Sequence, residues 1–228
     1  MDCQRIEQIY QSFDSAMTAI SAYVTATDDA LKYARGKELS VLERLREVRS
    51  QMTNFNSTFG ESSFSQGEVE YAARAMMVLV DQQRGQPDML NRMGLVNLVA
   101  LFDEVLIDLF TVAAESLPSA QETISELKRK GRDAIEVQLE YFKEKFDVDL
   151  LGARILKAKL VEIHATRNVL LHANGVVTQY HYIRRVPDTT YKVGDTLTVE
   201  RCYFEETRNS LGRVALHAKT ELLKNGGC

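Results

Sequence analysis

Proline is scarce in this sequence, three in 228 residues, about a quarter of its usual share, so little interrupts long helices. Cysteine is equally scarce. Cys3, Cys202 and Cys228 are odd in number and far apart, which gives no disulfide framework and no metal-ligand spacing, and they read as reduced thiols. No apolar run approaches the roughly 18 residues that a membrane span requires, so no membrane association is expected. The first residues, MDCQRIEQIYQSFD, lack the basic stretch, apolar core and cleavage site of a secretory signal, and the expected address is cytoplasmic. An excess of positive charge is also missing. Against 28 Lys and Arg stand 32 Asp and Glu, a net −4, which argues against a surface built to coat phosphates along a duplex. HExxH, paired CxxC, GxxxxGK[ST], GxGxxG and GxSxG do not occur, so metalloprotease, zinc-ribbon, P-loop, dinucleotide-binding and serine-hydrolase chemistries lack their residues.

What is present is the composition of a folded protein, 45% hydrophobic and 26% charged, with helical periodicity. The length fits one large domain or one with an appendage. Ile6, Ile9, Tyr10, Phe13, Met17, Ile20, Tyr23, Val24 and Leu31 step by three and four, predicting a first long helix that ends near Gly36. Leu39, Leu42, Leu45, Val48, Met52 and Phe55 repeat the pattern before the loop-like NSTFGESSFSQG. Residues 1–60 therefore read as an antiparallel helical hairpin, which packs on the rest or serves as a coiled-coil arm. Residues 61–228 make the second unit. After EVEYAARAMMVLVDQQRG, Pro87 opens MLNRMGLVNLVALFDEVLIDLFTVAAES, apolar on nearly every face and so a central buried helix. SAQETISELKRKG is a polar surface helix stopped by Gly131, and Ile135, Leu139, Phe142 and Phe146 mark the next amphipathic one. LLGARILKAKLVEIHATRNVLLHANG runs to an Asn-Gly stop, and RCYFEETRNSLGRVALHAKTELLKN closes the chain. Between them, VVTQYHYIRRV alternates loosely and VPDTTYKVGDTLTVE carries turn and β-branched residues, predicting a short strand or hairpin near 176–198. The fold class expected is all-α, a helical bundle with an N-terminal hairpin and a small β excursion.

Asp103, Glu104 and Asp108 cluster on the central helix, but no histidine or nucleotide-binding loop accompanies them, and neither a metal nor a cofactor is expected. One constellation carries chemistry. His164, Asn168 and His172 follow at spacings of four, and Arg167 lies three from His164, so imidazole, guanidinium and amide groups concentrate along one helix. Leu156, Leu160 and Ile163 lead into Arg167, so its guanidinium leaves a buried seam where an anion or carboxylate is needed. Such groups suit metal-free RNA cleavage. A histidine titrating near neutrality moves a proton at the 2′-hydroxyl or the leaving oxygen, and arginine stabilises charge on the phosphoryl oxygens. Asn168 can orient the backbone, the arginine or a ribose hydroxyl. Arg184, Arg185 and His164, with Lys157 or Lys159, are candidate RNA contacts. His181, between Tyr180 and Tyr182, stacks a base or sits on a strand edge, and His217 reads as a partly buried face residue. An arginine followed by a histidine five to seven residues later arises by chance about once in such a chain, so the weight falls on the fuller string.

That string, RNVLLHANGVV, is Arg-Asn-x3-His at a helix end followed by Asn-Gly and an apolar pair. It resembles the R-x4-6-H signature of the HEPN superfamily. The resemblance is best over about 150–180, extends to the buried helix at 88–116, and is echoed in YKVGDTLTVERCYFEETRNSL; the first 60 residues lie outside it. It implies a helical bundle that dimerises so that two Arg/His faces meet in a cleft. In active members it implies a metal-independent endoribonuclease of toxin–antitoxin, phage-defence or RNA-processing systems, with an antitoxin or defence-system protein as partner. Arg167, Asn168 and His172 inherit the motif. The histidine is followed by Ala173 and Asn174, without the tyrosine that some toxin members carry. The competing expectations are a non-catalytic HEPN-like binding or dimerisation module, and a helical adaptor that uses residues 1–58 as its arm.

Overall fold

The computed structural model describes residues 1–37, 88–131, 134–150 and 154–227. Among them are six α-helices: α1 (Cys3–Lys37), α2 (Met89–Ala114), α3 (Ala120–Lys130), α4 (Ile135–Phe146), α5 (Arg154–Ala173) and α6 (Arg201–Asn225). The all-α class holds. The apolar stripe over 39–55 and the segment 61–84 lie outside the described residues.

Burial follows the periodicity. Ile6, Phe13, Met17 and Val24 of α1 form one stripe, and they share a single core with α2 and with Phe204, Leu211, Val214, Ala218 and Leu222 of α6. α1 is thus a wall of the bundle. α2 is central because most of its circumference is apolar: Leu95, Leu98, Val99, Phe102, Leu106, Leu109 and Phe110 are all buried, and only a narrow stripe through Asn97, Glu104 and Asp108 is exposed. α3 lays Leu127 on this core, and α4 stacks Phe142 on Phe110 with ring centroids 3.9 Å apart. α3 ends at Gly131 with Lys128, Arg129 and Lys130 in its last turn, where the helix dipole favours cations. No helix of the described residues is long and apolar enough to cross a membrane.

The segment after α5 departs from expectation. Asn174 and Gly175 take φ of 49° and 84°, and the Gly175 N–H donates back to the Val169 carbonyl at 3.0 Å, which stops the helix at the Asn-Gly pair. The expected strand or hairpin shrinks to one antiparallel bridge between Val176 and Thr196, flanked by Val177 N–H to Asp195 O at 2.8 Å and Leu197 N–H to Gly175 O at 2.8 Å. Gln179–Ile183 coils instead into a π-helical turn. Its cause is local and tertiary together. The Thr178 hydroxyl accepts the His181 N–H at 3.1 Å, and Tyr182 turns inward with Val177 and Leu197 to cover Ala165 and Val169 of α5. His181 is therefore on this turn and not on a strand edge.

A buried ion pair ties the excursion to α2. Asp88 accepts from Arg92 Nε at 2.6 Å and from the Val199 N–H at 3.1 Å, and Arg92 Nη2 donates to the Leu197 carbonyl at 2.7 Å. A Cβ on Gly175 would lie 2.8 Å from Arg92 Nη1, so the same guanidinium also fills the space beside the end of α5. Two further expectations are corrected. Cys3 is disulfide-bonded, so spacing in sequence was no guide to its neighbours in space, whereas Cys202 is free and exposed. His217 is exposed, with Nε2 3.1 Å from the Asp149 carbonyl oxygen, because it sits on the outer side of α6.

Gly94 lies where α2 meets both α1 and α6. A Cβ there would stand 2.7 Å from both Phe204 Cε2 and Val24 Cγ2, two buried side chains without room to retreat. Gly94→Ala should cost about 1–3 kcal/mol, read as a lower urea midpoint at unchanged m-value. An unchanged midpoint would contradict this packing.

Candidate functional site

Along α5 the polar groups grade from buried to exposed. His164 is 6% exposed, its ring set edge-on to Phe102 at 6.3 Å. Its Nε2 lies 3.6 Å from Asp103 Oδ1 of α2, too far for a hydrogen bond. Burial, reinforced by the Arg185 and Arg167 cations, pushes the imidazole pKa down to about 3, so His164 is neutral at physiological pH. Asp103 moves the other way. Burial raises its carboxyl to about 7, against the pull of the Arg167 charge. Among the described residues Asp103 Oδ1, His164 Nε2 and Arg167 Nε are buried without hydrogen-bond partners. His164 is consequently withdrawn from any RNA contact, because the helix face that sequence spacing assigned to it is the one α2 covers.

Arg167 is half-buried at the rim of that seam, as the apolar stripe leading into it required. Its Nη1 donates to Asn168 Oδ1 at 3.1 Å, so of the roles open to Asn168 the structure displays orientation of the arginine. The carboxylate expected beside the guanidinium is Asp103, through space. Arg185 is ion-paired to Glu136 of α4, and Lys159 is held by Glu162 at 3.2 Å and over the Tyr203 ring at 4.4 Å. Arg184 is exposed and Lys157 half-buried.

His172 is exposed on the last turn of α5, and the excursion brings His181 onto it: the two rings stack with centroids 5.4 Å apart and planes 25° from parallel. Tyr180 stands edge-on to His181 at 5.1 Å and is 71% exposed. His181 is the residue whose place sequence reasoning missed. Helical periodicity does not reveal it, because His181 reaches His172 through the Thr178 turn and the packing of Tyr182 on Ala165 and Val169 of α5. His172 stands five residues beyond Arg167, about 140° around the helix, so the seam and the histidine pair occupy different sides of α5. Leu171, next to His172 in sequence, and Val176, just past the end of α5, are both exposed. No group of three or more His, Cys, Asp or Glu among the described residues is arranged to hold a metal, the Asp103, Glu104 and Asp108 stretch included.

The seam has a pH signature. Between about pH 4 and 7 folded Asp103 keeps a proton that the unfolded chain releases, so its contribution to stability falls as pH rises. Between about pH 3 and 6.5 the unfolded chain binds a proton at His164 that the folded one refuses, so that contribution rises with pH. The two slopes oppose each other. Asp103→Asn should leave the His164 slope alone, up to about 1.4 kcal/mol per pH unit, seen by urea unfolding across this range. Profiles of parallel shape for wild type and variant would contradict the assignment.

Comparison with protein-family models, with curated proteins and with solved structures finds no match to the chain, so the HEPN-type resemblance rests on the residues themselves.

Proposed function

We propose that this protein is a metal-independent endoribonuclease of a toxin or phage-defence type, acting in the cytoplasm as a homodimer, with His172 in proton transfer, Arg167 binding phosphate and Asn168 orienting that arginine. The observation that carries the reading is the open position of His172, on the solvent side of a helix end fixed by Asn174 and Gly175, five residues beyond a half-buried arginine. Within one copy Arg167 and His172 lie on different sides of α5, so a phosphate would meet cation and imidazole together in a cleft that two copies share, with the Asp103 carboxyl, raised to about 7, behind the cation. RNA supplies its own nucleophile: the 2′-oxygen attacks phosphorus as its proton leaves, the bond to the 5′-oxygen breaks, and the ends are a cyclic phosphate and a 5′-hydroxyl. No cofactor is needed for that step.

Arg184 is the exposed cation nearest in sequence for holding the strand, and Tyr180 offers an open ring for a base. Exposed Leu171 and Val176 beside His172 favour a second copy over this face, and a dimer cleft would use both sides of α5 at once. An antitoxin or defence-system protein would act by covering it.

Purified protein should cut mixed cellular RNA in EDTA, leaving cyclic-phosphate ends, and His172→Ala or Arg167→Ala should lower the rate by roughly 10²–10⁴-fold. Intact RNA with the wild type, or cutting that persists in both variants, would leave the non-catalytic binding or dimerisation module as the reading.

A further inference from the structure

The stacked pair at the end of α5 holds more chemistry than one histidine needs. Transphosphorylation of RNA requires two proton movements at one phosphate, one off the 2′-oxygen and one onto the 5′-oxygen, and these oxygens lie on opposite sides of phosphorus in the in-line geometry. A single imidazole reaches both only by moving. His172 and His181 are two imidazoles 5.4 Å apart by ring centroid, both with access to solvent, and nearly parallel so that their nitrogen-bearing edges can face the same space.

The arrangement is also held in place. His172 sits on the last turn of a 20-residue helix, and His181 is fixed through its backbone by the Thr178 hydroxyl and through its neighbour Tyr182, which is 3% exposed. The π-helical turn matters here. The turn buries Tyr182 while leaving His181 against His172. The spacing of the two rings is too small for a base to slide between them, which would need roughly twice the ring-stacking distance. A base-stacking role for His181 is thus displaced to Tyr180.

We propose that His181 is the second proton-transfer residue, working with His172 on one RNA phosphate, one ring taking the 2′-hydroxyl proton as the 2′-O–P bond forms and the other giving a proton to the 5′-oxygen as the P–O5′ bond breaks. One proton is gained and one lost by the pair, nothing is oxidised or reduced, and solvent restores both rings before the next turnover. The inference rests on the ribonuclease reading above and adds to it a residue outside the Arg-Asn-x3-His string.

The test compares His172→Ala and His181→Ala on two substrates: ordinary RNA, and a uridine 3′-phosphodiester whose nitrophenolate leaving group departs without a proton. Each variant should lose roughly 10²–10⁴-fold on RNA. On the activated substrate one variant, the one lacking the acid, should regain most of the wild-type rate, and the other should not. That recovery also shows the rescued variant is folded, and His181→Asn, which keeps a planar polar group against His172, should show the same RNA loss. Wild-type rates on RNA with His181→Ala would overturn the proposal while leaving the ribonuclease reading intact, as would equal losses of both variants on both substrates. No cutting by the wild type on either substrate would overturn both.

Discussion

The ion pair of Asp88 and Arg92, one turn apart at the start of α2, sets where the residues after α5 can go. Both side chains are about one-tenth exposed, and each also bonds the backbone of 197–199. A buried pair of this kind is rarely worth much net stability, because desolvation offsets the attraction. Its effect is on specificity of place. With the carboxylate committed to the Val199 N–H and the guanidinium to the Leu197 carbonyl, the excursion has one register against α2, and Gly175 must remain without a side chain beneath it. The bridge at Val176 and Thr196 lies in the same register, and between its two sides Tyr182 turns inward and His181 comes onto His172.

The bundle supplies the rigid side of this arrangement. α2 is walled by α1 and α6 and carries Asp103 and Phe102 to the buried flank of α5. α5 therefore has one flank in a low-dielectric seam and one end in water. The same helix holds a histidine kept neutral by burial and two cations, a half-buried arginine oriented by its neighbour, and a histidine in solvent. Burial raises the Asp103 carboxyl to about 7 against the pull of Arg167, which leaves the cation only partly compensated, a condition that favours an incoming anion.

Much of the fold was legible in the sequence. The three-four stepping from Ile6 to Val24 marks α1 with its correct inner face, the unbroken apolar character of 89–114 marks the central helix, and Asn174-Gly175 marks the end of α5. The excursion was legible only as an interruption. VVTQYHYIRRV has the residues of a strand, but burial of Tyr182 against Ala165 and Val169 and the hold of Asp88 and Arg92 on 197–199 decide its shape, and both contacts are long-range. The site was legible as composition and not as geometry. Spacing by four groups His164 with His172, yet α2 covers the first and not the second. The stacking of His181 on His172 needs the chain to turn back, which no periodicity encodes.

The account depends on Asp88 and Arg92 placing one histidine on the other. Nuclear Overhauser contacts between the imidazole protons of His172 and His181 measure that placement directly. They should be present in the wild type and lost in Asp88→Ala, with the methyl resonances of the α1, α2 and α6 core remaining dispersed. Contacts that persist in Asp88→Ala, or that are missing from the folded wild type, would contradict the account.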